Sequence, residues 1–337
     1  MLKLTRENFA KARAYIFANS DDIGRAWFRY HFEGNDTSVF MDALAKYQYE
    51  NGGFGGLCYE FDYQGSCLKS TENAIWYIIG LKHKPPASHP VIQKLMKYLL
   101  KLYLPSYGNW GDILVPEINE GVHLRHVTWG RYLPSGWTPP TQSEDERIAN
   151  YQANERAVFA AFVALYSETV PEELYLDIIK YPSECILRHY DANSPDLYDL
   201  LYYKDFVYCL KDKTLAGKLV AVLSQNPTAC MELDFSKADN NYVHLPCDFV
   251  DSPDSFLYTT LKKLVDDSLT CHINRQRNDG GWNIGWSFGK DDKFRKIEKL
   301  YEAYLSLGIL VKLGRFGRMY SPNKSGQETK KSYRKKY

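Results

Sequence analysis

The 337-residue chain has almost no net charge: 42 basic residues against 41 acidic ones leave +1. Nothing in that balance calls for nucleic acid, which would need a basic face on the body of the protein. Long apolar runs are missing too, and Met1 to Asn8 lacks the apolar core of a signal segment. No transmembrane helix or leader is therefore expected. The seven cysteines are odd in number and form no CxxC pair, which argues for reduced thiols in a cytoplasmic protein. Alternating apolar patterns are scarce, so the fold class expected is all-α. The P-loop, the Rossmann glycines, the GxSxG elbow, HExxH and the kinase motifs are absent as well.

What is present is a core-forming, aromatic-rich composition. Hydrophobic residues make up 45% of the chain and aromatics 15%, with 27 Tyr, 16 Phe and 7 Trp. That suits tight helix packing, and equally an aromatic-walled pocket for sugars or isoprenoids. Charge is uneven along the chain. From Asn323 onward six basic residues face one acid, so this tail carries +5 and residues 1–322 carry −4. Residues 1–322 read as one domain, and 323–337 as a disordered basic tail.

About ten to twelve helices are expected from apolar spacing. Examples are Val91 to Leu102, Glu173 to His189, Asp196 to Leu210, Lys213 to Leu223, Ser255 to Arg275 and Lys296 to Leu313. The run Ala157 to Leu165 is apolar all round and predicts a helix buried on every side. Residues 105–147 are the least regular part of the body. A long irregular segment inside a compact domain is often functional, so His123, His126, Trp129 and Trp137 there, with Trp286 further on, are candidates for substrate contact. The two histidines lie three apart, but the Gly- and Pro-rich setting disfavours a helix that would aim them at a metal.

One short pattern recurs. Gln48-Tyr49-Glu50-Asn51-Gly52-Gly53-Phe54 and Gln276-Arg277-Asn278-Asp279-Gly280-Gly281-Trp282 both read Gln, any three, Gly, any one, aromatic. The glycines supply positive-φ positions past a helix end, the Gln amide can bond free backbone groups, and the ring can pack on a neighbouring helix. A degraded third copy stands at Leu104 to Trp110, with leucine in place of glutamine. The pattern resembles the QW repeat of the terpenoid cyclases and protein prenyltransferase β subunits. That resemblance implies an α/α toroid, a double ring of helical hairpins around an aromatic-lined cavity, and an isoprenoid-handling function. Gln48, Gly52, Phe54, Gln276, Gly280 and Trp282 would be its structural repeat residues.

The active-site motifs of that superfamily are not found. Asp-x-Asp-Asp is absent, Asp21-Asp22 and Asp291-Asp292 lack the third acid of Asp-Asp-x-x-Asp, and no Asp-x-Cys pair is present for zinc. No metal ligand is named and zinc is disfavoured; the cofactor stays open, with magnesium the one the acids would suit. Asp248, Asp251 and Asp254, spaced by three, and Glu60 and Asp62 after the first turn are the candidate catalytic carboxylates. They could handle a diphosphate, donate a proton or hydrolyse a glycoside. Asp251 to Ser255 equally reads as a cap ahead of the long helix. A carbohydrate-active α/α barrel using paired acids is the alternative function, and a toroid that binds without catalysis is the third.

Overall fold

Most helices start where a short polar side chain can close the first turn. In the computed structural model, residues 1–34, 36–59, 61, 63–110, 141–151 and 154–320 are described. Thr5, Asp21 and Asp36 cap α1 (Arg6–Asn19), α2 (Asp22–Phe32) and α3 (Thr37–Ala45), each accepting a backbone N–H three residues on. α4 (Leu68–Gly80) follows, and Pro90 occupies the first turn of α5 (Pro90–Leu102). A two-residue hairpin, β1 (Tyr103–Leu104) with β2 (Asn109–Trp110), comes next. α6 (Glu144–Ala149), α7 (Asn154–Leu165), α8 (Glu172–His189), α9 (Leu197–Cys209) and α10 (Lys213–Leu223) continue the chain. It ends with α11 (Pro246–Phe249), α12 (Tyr258–Asn274) and α13 (Asp292–Arg315). The all-α expectation holds among the described residues.

Burial explains the arrangement. Ala157 to Ala164 of α7 are all 0% exposed, so this helix is enclosed on every side as its composition predicts. It packs between α4 and α9 and also touches α8. The long helix was expected to begin at Ser255 behind an Asp or Ser cap; α12 starts instead at Tyr258, and no side chain caps it.

The two Gln-Gly-aromatic turns dock in the same way. The Gln48 amide donates to the carbonyls of Gly52 (3.0 Å) and Val91 on α5 (3.0 Å). The Gln276 amide donates to those of Gly280 (2.9 Å) and Asn8 on α1 (2.9 Å). Gly52 and Gly280 both have φ +95°. A methyl group added at Gly52 would sit 2.1 Å from the Lys94 carbonyl oxygen, and one at Gly280 would sit 2.3 Å from the Lys11 carbonyl carbon. Gly53 and Gly281 lie against the rings of Tyr98 and Tyr15. Each docking helix therefore offers the same surface: a carbonyl, then Lys three residues on, then Tyr seven residues on. The Phe54 and Trp282 backbone N–H groups then donate to Thr71 Oγ1 (2.9 Å) and Ser306 Oγ (3.1 Å), hydroxyls fully buried on α4 and α13.

The third copy keeps part of this. Gly108 (φ +66°) is pressed against Tyr181 of α8, and Trp110 is 1% exposed. Its indole donates to the Leu99 carbonyl eleven residues back (2.9 Å), as Trp282 donates to His272 ten residues back (2.7 Å).

The last elements return to the first. α1 packs on α13. Leu4 N–H donates to Arg318 O (2.8 Å) in a parallel bridge of Leu4 with Met319. Arg318, 1% exposed, donates to Leu2 O (2.7 Å) and pairs with Asp266. Arg277 grips Glu302 on α13 through two bonds of 2.6 and 2.9 Å, and Tyr15 donates to the same carboxylate.

Candidate functional site

The acids spaced by three do not converge on one point. Asp248 sits on α11, where its Oδ2 accepts the Leu245 N–H (2.7 Å) and its Oδ1 receives the Lys312 ammonium of α13. Burial alone would raise its pKa, but Lys312, together with His272 and His244, outweighs burial and holds the carboxyl at about 2. Asp248 thus carries no proton to donate near neutrality. Asp251, just past α11, receives the ammonium of Lys204 on α9. Lys204 is 6% exposed and also approaches Asp205 at 3.5 Å. Burial works against its charge, but the two carboxylates override it and keep the lysine protonated. Asp254 lies exposed in the turn before α12. The expected trio is therefore two partly buried ion pairs and one solvated acid.

Against Asp248 lie two groups that sequence reading passed over. Cys247 is fully buried, with its N–H donating to Ser268 Oγ (3.2 Å). His272, in the last turn of α12, is 5% exposed, and neither ring nitrogen has a hydrogen-bond partner. Burial pushes its imidazole down to about 3, so the ring is neutral, and pushes the Cys247 thiol up to about 12. One ligand atom from each of Cys247, Asp248 and His272 lies within 4.8 Å of the others. His244 Nδ1 stands 4.0 Å from Asp248, and its Nε2 is buried without a partner. A signal was available. His272 occupies the apolar stripe of α12 with Leu261, Val265 and Leu269, where an imidazole is out of place.

Aromatic rings lead into this cluster. Trp76 of α4, 42% exposed, stacks on Tyr202 of α9 at 5.6 Å. Tyr202 meets Tyr198 (6.1 Å), and Tyr198 and Tyr242 flank His244 at 6.4 and 5.3 Å. Tyr198 and Tyr242 are themselves exposed and hydrogen-bonded to each other (2.8 Å). A chain of rings therefore runs from α4 across α9 to the carboxylate of Asp248, with Trp76, Tyr198 and Tyr242 exposed and Tyr202 buried between them.

Asp199, in the first turn of α9, gives a pH test. Burial, with Asp196 nearby, pushes its carboxyl up to about 6. The folded chain holds that proton more tightly than the unfolded chain, so stability falls as pH rises from about 4 through 6. Asp199→Asn is expected to gain about 1–2 kcal/mol at pH 7, after discounting for partial exposure. The gain should vanish below about pH 4, and urea titrations at the two pH values would check it.

The other candidates fall elsewhere. Glu60, Asp62, His123, His126, Trp129, Trp137 and the tail 323–337 lie outside the described residues. Trp286 packs in a small separate cluster with Phe288, Phe294 and Tyr301. All seven cysteines are free thiols. Among the described residues no helix is long and apolar enough to cross a membrane. Comparison with protein-family models, with curated proteins and with solved structures finds no match.

Proposed function

We propose that this chain is an isoprenoid-handling α/α toroid. Three docking events support the ring. The turn after α3 fastens to α5, the turn after α5 lies against α8, and the turn after α12 fastens to α1. Alternate helices then make an inner layer, in which α13 packs on α2, α4 on α7, α7 on α9 and α9 on α11. Trp27 of α2 meets Tyr77 of α4 at 5.2 Å, and the Lys312–Asp248 pair joins α13 to α11.

The observation that carries the functional reading is the strip of rings ending in a charged cluster. Its exposed rings, Trp76, Tyr198 and Tyr242, suit an unsaturated hydrocarbon chain, and its Lys312, Lys204 and Asp248 end suits a polar head. Glycoside hydrolysis is served less well, because it needs two carboxyls free to exchange protons, and Asp248 and Asp251 are each bound to a lysine.

A thermal-shift screen tests this, comparing farnesyl and geranylgeranyl diphosphate, with and without magnesium, against oligosaccharides. A ligand at a hundred times its dissociation constant stabilises by roughly 2.7 kcal/mol. The expected result is a shift with prenyl diphosphate that shrinks in Trp76→Ala. A shift with sugars alone would replace this reading by the carbohydrate one. No shift with either would leave a toroid that does not act on these ligands.

A further inference from the structure

We infer that Tyr198 and Tyr242 are a two-ring gate over His244. Their phenol bond holds both rings across the imidazole, and parting them opens Nε2 to water or to a ligand. The inference does not depend on the isoprenoid reading, because it concerns access to the imidazole whatever group arrives there.

The two rings come from separate elements. Tyr198 stands in the first turn of α9, and Tyr242 in the chain that leads into α11. Both meet the imidazole edge-on, at 6.4 Å and 5.3 Å, and Phe249 of α11 closes a third side at 6.2 Å. Under this cover Nε2 is buried without a partner, although Tyr198 and Tyr242 are 37% and 55% exposed. Nδ1 lies 4.0 Å from Asp248 Oδ2, so the imidazole connects the gate to the carboxylate behind it.

The backbone around Tyr242 is held on both sides, so the moving parts are side chains. The Asn241 N–H donates to the Lys237 carbonyl (2.9 Å), and the Asn241 carbonyl presses on Gly285, where an added methyl would meet it at 2.3 Å. The His244 carbonyl accepts the Glu232 N–H (2.9 Å), and the Leu245 N–H is bound by Asp248 (2.7 Å). Exposed side chains change rotamer within nanoseconds, so opening needs no loop movement. The energies are closely matched as well. A bond between two exposed phenols is exchanged for bonds to water at little net loss, whereas an imidazole nitrogen buried unpaired bears its full desolvation cost. The closed form thus gains little from its latch and is penalised at Nε2. A balance this close is what a gate requires, since a small preference of any ligand for the open form shifts it.

Diethyl pyrocarbonate, which acylates neutral imidazole nitrogen, reads the gate when the full-length protein is treated, digested and analysed residue by residue by mass spectrometry. Burial lowers the His244 pKa, so its ring is neutral at pH 7 and reports access alone. In the wild-type protein His244 should react much more slowly than the exposed His83 and His189. Tyr198→Phe and Tyr242→Phe keep both rings and remove only the bond between them. Each should raise the His244 rate by about 2- to 12-fold, the population shift that one hydrogen bond of usual net strength commands. The double variant should go no further, because both substitutions delete the same bond. His31 on α2, whose Nε2 is likewise buried without a partner, should stay slow throughout. A wild-type His244 as reactive as His83, or a rate unchanged in both single variants, would overturn the gate. So would a parallel rise at His31, which marks a general loosening, or single-variant effects that multiply in the double variant.

Discussion

Replacing Gly280 by alanine is expected to cost about 3–5 kcal/mol of folding stability, the sum of a left-handed backbone and an overlap with main chain. Gly280 has φ +95°, and the new methyl would fall 2.3 Å from the Lys11 carbonyl carbon. Main chain inside a helix cannot swing aside as a flexible side chain can, so the turn would have to lift off α1. Gly52→Ala should lose a similar amount, because its methyl would meet the Lys94 carbonyl oxygen at 2.1 Å. Gly317 separates the two causes. It has φ +63° but no atom within 4 Å of an added methyl, so Gly317→Ala should show only the backbone penalty of about 1–2 kcal/mol. Denaturant unfolding of the three variants checks this. Equal losses at all three positions would show that docking against Lys11 and Lys94 is not the source.

Trp282→Ala and Trp110→Ala should each cost about 3–5 kcal/mol, the usual range for deleting a buried aromatic. Both rings are essentially unexposed, and both indoles donate to a carbonyl of the preceding helix. The second substitution is the informative one, because the turn before Trp110 lacks the glutamine. A loss comparable to that of Trp282→Ala would establish that the tryptophan, rather than the amide, anchors this kind of turn. A loss under about 1 kcal/mol would mean that the third turn only imitates the other two. Trp286→Ala serves as the reference: its ring is half-buried in a small cluster and should matter much less.

The turns were readable because everything that defines them is local. Gln, two glycines and an aromatic specify a backbone shape within seven residues, and Gln48 and Gln276 adopt it almost identically. Their receptors were not readable. Lys94 with Tyr98 and Lys11 with Tyr15 look like ordinary helical residues until the turn is laid on them. The helix Lys213–Leu223 follows its apolar spacing, whereas Ser255 to Leu257 form a turn although Asp254 and Ser255 resemble a cap. Local cap preference is worth about 1 kcal/mol, and the packing of Ser255 and Leu257, both buried, overrides it.

The acids show the same limit more sharply. The spacing of Asp248, Asp251 and Asp254 suggested a shared task, but the first two are each held by a lysine 64 or 47 residues away in the chain, and the third faces solvent. The metal-capable trio was missed for a different reason. No Asp-x-Cys pair announces it; the chain places Cys247 directly before Asp248, with the histidine on the following long helix. A neutral imidazole on a leucine stripe was the one visible clue.

The clasp between Leu4 and Arg318 sets an order of events during synthesis. Joining residues so far apart closes a loop of nearly the whole chain, at an entropic cost of roughly 5 kcal/mol. α1 cannot seat Ala12, Tyr15 and Ile16 until Gly280, Glu302 and Arg318 have been made. α1 thus precedes its partners in synthesis by more than two hundred residues, and until they are made it presents an apolar face to solvent or to a chaperone. Once the clasp forms, Leu4 and Arg318 are neighbours, and a chain cut elsewhere and joined near these two residues should keep the same helix contacts.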